Sequence, residues 1–547
     1  MANFDRTVSG NIVDVLNSDI YPGIIKISGG KIVDIIREHR KYETYIIPGL
    51  IDAHVHIESS MLSPSEFARI AVIHGTVATV SDPHEIANVL GVEGVNYMID
   101  NSKKVPFKFY FGAPSCVPAT RFETAGAELG TKEIDELLRR DEIKFLSEVM
   151  NYPGVVYRER EVMSKIALAK KYKKRIDGHA PGVKDEMLEK YVGAGIETDH
   201  ETVDRVEALQ KLKLGMKIQI REGSAAKNFD ALSFAINEYE NMCMLCSDDK
   251  HPHDLVEGHI NELVKRAVSS GYDIMKVLRC ASVNPVQHYG LEVGLLQKGD
   301  AADFVLMDNL ENFNVLKTFI NGRKVAENGE TLIPRVSAEI VNRFHAREKE
   351  VSEFLIKKTG PMINIIEAID GQVVTHRVQD HPKVADGFAV SDTRRDILKI
   401  AVVNRYKSVP PAIGFIKRFG LKKGAIAASV AHDSHNIVAV GVSDKDICRA
   451  VNSVIESKGG LSVVYDDVQE TLPLPVAGLM SNEDGFEVAE QYRKLDRLAK
   501  ELGSELKAPF MTLSFMTLLV IPKLKISDKG LFDGDAFEFI SLQPSVS

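Results

Sequence analysis

The sequence lacks the features that would take a chain out of the cytoplasm or onto nucleic acid. Its five cysteines are odd in number and scattered over 547 residues, which excludes a disulfide framework of the secreted kind. No uninterrupted apolar run approaches the roughly 18 residues of a membrane span. The stretch from Met511 to Ile521 comes nearest, but it carries Thr512, Ser514 and Thr517 and is expected as a buried element. The opening MANFDRTVSGNIVDVL has no basic stretch followed by an apolar run, so no secretory signal is expected. There is no basic excess either. A formal net charge of −9 offers no complementary surface to nucleic acid or an anionic membrane. Glycine pairs such as Gly459-Gly460 lack any phosphate-loop pattern. The expectation is a soluble cytoplasmic protein, with homo-oligomerisation as the default.

What is present is ordinary in bulk and specific in layout. Hydrophobic residues at 44% and charged residues at 27% suit a globular chain. At roughly 100–200 residues per domain the length implies about three domains. Residues 1–45 hold short strand-like runs punctuated by glycine, such as GIIKISGGKIVDII. Residues 46–284 alternate apolar runs with helical segments. The runs are TYIIPGLIDAHVH, GTVATVSD, KFYFGAP, IKFLSEV, KRIDGHA, GIETDH, MKIQIREG and MCMLCSDD. Eight β-then-α units predict a parallel sheet closed into a TIM-like (β/α)₈ barrel, an α/β fold. Residues 285–335 return to short strands and are expected to join the first 45 in one composite β-domain. Residues 336–547 read as a C-terminal α+β domain.

Ionisable residues recur at the ends of the apolar runs, where such barrels build their active sites. His54 and His56 are two apart, so on a strand both imidazoles point to one face and can reach one ion. Glu148, His179, His200 and Asp248 close later runs. Four histidines and two carboxylates suit two divalent ions about 3.5–4 Å apart, with Glu148 as the candidate bridge. Mixed imidazole and carboxylate ligation fits Zn, Fe or Mn.

With these residues in place, PGLIDAHVHIESS and the single histidines and Asp that follow it resemble the amidohydrolase superfamily. More narrowly, IDAHVHIESSML, VSDPHEIANVLG, FLSEVMNYPGV, DGHAPG, IETDHE, IREGSAAKN and LCSDDKHP resemble the adenine deaminases, as does AVVNRYK through VAHDSHNIVAVG. The resemblance covers essentially the whole chain. It implies hydrolysis of adenine, a free purine base, to hypoxanthine and ammonia by a binuclear Fe or Mn centre. It also puts His54, His56, Glu148, His179, His200 and Asp248 on the metal positions, and Asp82 and Glu85 near the substrate ring. Many binuclear relatives bridge their metals with a carboxylated lysine, and Glu148 departs from that branch.

Other residues carry competing readings. His56-Ile57-Glu58 with Cys243-x-x-Cys246 mimics the zinc signature of cytidine-type deaminases, but Met242 stands where that motif needs Pro. Cys243 and Cys246, three apart on a strand, face opposite sides and are expected in the core. Asp82 also reads as a helix cap, with Glu85 at the helix start. Arg221 and Glu222 read equally as a salt-bridged rim or a substrate contact. Asp249 ranks second to Asp248 as ligand. His251 and His253 are expected exposed on a loop, and His74 structural. His432-Asp433-Ser434-His435 reads as a second metal site, a turn, or a segment reaching the active-site mouth, the last being favoured.

The mechanism this predicts is attack of hydroxide on C6, with Asp248 as base and Glu85 or a nearby acid protonating ring N1. Rival readings are a cyclic amide or imide hydrolase, an N-deacetylase, a deaminase of a related aminopurine, and a non-catalytic scaffold. Ammonia against acid release separates these hydrolases from a deaminase, and metal content tests the last.

Overall fold

The computed structural model describes residues 5–544, so the first four residues of the N-terminal segment and the last three of the C-terminal region lie outside the described residues. The apolar runs from Leu50 onward are short, largely buried parallel strands. β1 (Leu50–Val55), β2 (Thr76–Ser81), β3 (Lys108–Ala113), β4 (Ile143–Val149) and β5 (Arg175–Gly178) form one sheet in chain order. β6 (Thr198–Asp199), β7 (Lys217–Arg221) and β8 (Cys243–Cys246) form the other. Two seams close them into a (β/α)₈ barrel. At one, Val55 pairs in parallel with Asp248, the Asp248 amide donating to the His54 carbonyl at 2.9 Å. At the other, the Glu197 amide donates to the Ile176 carbonyl at 2.9 Å. Close approach there depends on glycine: a Cβ on Gly178 would sit 2.4 Å from the Thr198 carbonyl oxygen.

Helices such as Pro64–Ala71, Arg160–Lys171 and Ile260–Ser269 lie between the strands and turn their apolar sides to the barrel. Strands from both flanks share one eight-stranded sheet. Phe304–Met307 pairs antiparallel with Tyr45–Pro48, which joins the segment before the barrel to the one after it.

No regular element lies between Thr331 and Val351. Beyond that point a second eight-stranded, mostly antiparallel sheet carries the C-terminal region. Helix Asp444–Glu456 packs against it through Ile447, Val451 and Val454. The Met511 to Ile521 stretch is buried as expected, its first part as helix Pro509–Phe515. Two neighbouring strands, Ala425–Ala428 and Ile437–Gly441, are joined by loop 429–436, which runs back to the mouth of the barrel. Among the described residues no helix is long and apolar enough to cross a membrane.

Candidate metal centre

The barrel's strand ends converge as period-two alternation requires. His54 and His56 turn the same way from β1, their Nε2 atoms 3.2 Å apart. Asp248 Oδ1 lies 3.4 Å from His54 Nε2 and 3.2 Å from His56 Nε2. These three donor atoms are spaced like ligands that share a cation roughly 2 Å from each. Asp248 sits at a left-handed φ of 56°, uncommon for a residue with a side chain and typical of functional positions. Its carbonyl accepts from the His56 amide at 3.3 Å, which fixes it against β1.

Glu148 faces two ways. Its Oε1 is 3.4 Å from His56 Nε2, while its Oε2 is 2.8 Å from His179 Nδ1 and 3.2 Å from His200 Nε2. One carboxylate thus spans a His54/His56/Asp248 set and a His179/His200 set. His56 Nδ1 donates to the Asp82 carbonyl at 3.1 Å, leaving Nε2 as the free lone pair. The His200 ring stacks on His54 with centroids 4.0 Å apart.

Buried polar anchors hold these strand ends. Asp52 accepts from the Ser247 amide at 3.0 Å, from the Ser247 hydroxyl, and from His259 Nε2 at 2.8 Å, tying β1 to β8. The Tyr191 hydroxyl donates to the Val149 carbonyl at 2.7 Å and accepts from the His179 amide at 3.0 Å. Lys211, wholly buried, donates to Asp199 at 3.0 Å, to Glu207 at 2.6 Å and to the Ala180 carbonyl at 2.7 Å. Those bonds set the residues beside His200 and His179.

The electrostatics ask for cations. Glu85, Glu148, Glu201, Asp248, Asp249 and Asp433 line the cavity, and no lysine or arginine does. Burial would lower the His179 pKa, but Glu148 and Glu201 raise it to about 9. Burial opposes the Glu148 charge, yet His179 and His200 hold its carboxyl well below the usual range. Burial likewise opposes the Asp248 charge, and Arg221 and His200 outweigh it. Protonated histidines can supply positive charge to balance these carboxylates. Divalent ions supply it better, because neutral imidazole and carboxylate are their normal ligands. Groups of three or four donor atoms within 4.8 Å, such as His54, His56 and Asp248, or His54, Glu148 and His200, have the chemistry to take them.

Beside this set, Glu85 lies in the first turn of helix His84–Leu90, whose Ile86 amide donates to Glu58 Oε1 at 3.1 Å. Loop 429–436 meets Glu85 from the C-terminal sheet. His432 Nε2 is 2.9 Å from Glu85 Oε1, and His435 Nε2 donates to Glu85 Oε2. The Ala431 amide donates to His435 Nδ1 at 3.2 Å, which places the His435 proton on Nε2. Burial opposes the Glu85 charge, but His432, His435 and His84 hold the carboxyl well below its usual range. Burial would lower His432, and Glu85 and Asp249 raise it well above an ordinary histidine. Glu85 and His432 therefore form a carboxylate–imidazolium pair.

Known proteins fit this arrangement. The amidohydrolase family signature matches residues 45–325, and that of the adenine deaminase C-terminal domain matches residues 372–538. Adenine deaminase from Sulfurovum sp. is 56% identical over 97% of this chain and 99% of its own length. The adenine deaminase of Salinibacter ruber is 53% identical over 98% of each chain. The chain belongs to the adenine deaminase family. Membership of its amidohydrolase branch implies a divalent metal. Among solved structures, a β-aspartyl dipeptidase from Fervidobacterium islandicum is 13% identical with a TM-score of 0.46, covering 62% of this chain and 100% of its own.

Within this deaminase-family chain, His54, His56, Glu148, His179, His200 and Asp248 come together, and Glu85 lies beside them. Asp82 lies with them too, a carboxylate oxygen falling within 4.8 Å of donor atoms of His56, His84 and Glu148. It is wholly buried, accepts from the His84 amide at 3.1 Å and lies 3.3 Å from His84 Nδ1, while the N-cap position of the helix itself is held by Pro83. Arg221 is salt-bridged at the barrel's strand ends, as one of its two readings expects. It is buried, with Nη1 2.5 Å from Glu201 and 2.6 Å from Asp248. Asp249 lines the same cavity, accepting from the Ser59 hydroxyl at 2.5 Å and lying 3.4 Å from His432. The expected exposure of His251 is corrected: it is buried, because Tyr492 of helix Gly485–Glu501 covers it with ring centroids 4.6 Å apart. Cys243 and Cys246 are in the core, and all five cysteines are buried and free. Sequence reasoning passed over His84 and Glu201, although each adjoins a residue already singled out.

Proposed function

We propose that this chain hydrolyses adenine to hypoxanthine and ammonia, using two divalent ions held by His54, His56, Glu148, His179, His200 and Asp248, with Glu148 as the bridge. Mn and Fe are favoured over Zn. Ions at such a site lower the pKa of bound water and supply hydroxide near neutral pH.

The protein's own groups do the rest. Asp248, ionised beside Arg221, accepts the proton released as hydroxide adds to C6. A proton on His432, whose Nε2 is ion-paired with Glu85 Oε1 at 2.9 Å, passes to ring N1, so negative charge does not build on the purine. The C6–N bond then breaks as the amine takes the proton held by Asp248, and ammonia leaves. General acid–base help of this kind contributes about 10²–10⁴-fold. Asp82 acts through His84, which it orients from behind. Val373, Phe515 and Leu518 of the C-terminal region supply the apolar wall a planar base needs. The chain works as a cytoplasmic homo-oligomer on a small-molecule substrate.

The observation that carries this reading is the meeting of a two-sided carboxylate, Glu148, with a proton-bearing Glu85–His432 pair in one cavity. The experiment is a substrate panel on Mn-loaded protein: adenine, adenosine, a hydantoin and an N-acetyl sugar. Ammonia from adenine with hypoxanthine in equal amount is the expected result. Acid release from the hydantoin or the acetyl compound, with no ammonia from adenine, would overturn it.

A further inference from the structure

Asp433 is the one buried carboxylate lining this cavity that the reaction above leaves unused and that makes no hydrogen bond. Its residue is 3% exposed, and its Oδ2 is buried without a partner. The nearest cationic atom is His84 Nε2, 3.9 Å from its Oδ1, beyond hydrogen-bond reach. A buried acceptor with nothing to accept costs about as much as a lost hydrogen bond unless something else satisfies it. It stands in loop 429–436, whose neighbouring bonds hold it in place. The Tyr406 hydroxyl donates to the Ser434 carbonyl at 2.7 Å, and His432 is fixed by Ser514 at 2.6 Å.

Its position names the donor it awaits. Oxygens of Asp433 and Glu85 and a nitrogen of His84 lie within 4.8 Å of one another. His84 Nδ1 in turn is 3.5 Å from Glu148 Oε1. Asp433 thus stands beside Glu85, which belongs to the pair that serves ring N1, at the Nε2 edge of His84, whose other edge meets Glu148. The substituent next to N1 on an adenine ring is the C6 amine, and it carries two N–H donors. We propose that Asp433 accepts a hydrogen bond from the C6 amine of the purine and thereby distinguishes the amino substrate from the oxo product. This rests on the adenine reading above. A carboxylate attracts an amine at C6 and repels the carbonyl oxygen that replaces it, so the same residue favours substrate entry and product departure. Burial pushes the Asp433 carboxyl up to about 6, opposed by His84, and it remains an acceptor at neutral pH.

The test compares adenine KM with the inhibition constant of hypoxanthine in metal-loaded wild type, Asp433→Asn and Asp433→Ala, with metal content checked in each. Hydrogen bonds to charged groups imply a rise of about 10- to 100-fold in adenine KM in both variants. In Asp433→Asn the amide N–H donates to the C6 oxygen, so hypoxanthine should bind at least about 10-fold more tightly. In Asp433→Ala its affinity should stay within about threefold. The ratio of the two constants therefore moves in opposite senses to a general loss of fit. Equal weakening of both ligands, or an unchanged ratio, in whichever variant folds with full metal would overturn the proposal while wild-type turnover of adenine stands. No ammonia from wild type and adenine would overturn the underlying reading, and this proposal with it.

Discussion

Replacing Lys211 with Met tests whether the strand ends are held as described. Lys211 is wholly buried beneath them and bonded to Asp199, Glu207, Thr202 Oγ1 and the Ala180 carbonyl. Methionine keeps the volume and removes the charge, leaving two carboxylates in the interior without their cation. Burial opposes the Asp199 charge, but Lys211 and His200 bring its pKa from 3.8 down to about 2. That fall contributes roughly 2.5 kcal/mol at neutral pH. Because the folded pKa is depressed, this stability is complete above about pH 4 and is lost as pH falls towards 2. Breaking a buried pair from one side costs about 3–5 kcal/mol, more than that fall alone, because a second buried carboxylate, Glu207, also loses its cation. In Lys211→Met the sign reverses. Asp199 becomes an acid raised by burial, penalised in the folded state as pH climbs above its unfolded value. Urea unfolding of the full chain at fixed metal load should show a deficit of about 3–5 kcal/mol at pH 8 that shrinks at pH 5. A deficit below about 1 kcal/mol, or one independent of pH, would refute the reasoning.

Further substitutions separate the parts of the site. Glu148→Gln should lose at least one equivalent of bound metal by elemental analysis, because amide nitrogen is a poor ligand where both carboxylate oxygens now face histidines. Glu85→Gln should keep its metal and lower kcat by about 10²–10⁴-fold, since the proton-bearing pair is gone; steady-state kinetics with metal content on the same sample checks both. Tyr191→Phe removes the link between the Val149 carbonyl and the His179 amide. It should cost about 1–3 kcal/mol in unfolding for the buried groups left unpaired.

The convergence of the candidate donors was legible because strand geometry is local. Two residues apart on β1 fixes His54 and His56 on one face, and a ligand at each later strand end follows from how parallel strands close a barrel. What lies across the chain was not legible. The bond from His435 to Glu85 spans 350 residues, and no periodicity records which loop of the C-terminal sheet turns towards the barrel. Arg221 was ambiguous for the same reason: its partners Glu201 and Asp248 sit on neighbouring strands, and only their packing buries all three. His251 was misjudged because the ring that covers it, Tyr492, belongs to a helix far along the chain. The orphaned oxygen of Asp433 is likewise a property of packing rather than of the motif around it.

Two ions are expected to act together on adenine. Metal-free protein should be titrated with Mn²⁺ while ammonia release from adenine is followed. Activity is predicted to rise to a plateau at two equivalents per chain, with His54 and His56 on one side of Glu148 and His179 and His200 on the other. A plateau at one equivalent, or ammonia release that does not depend on added metal, would contradict it.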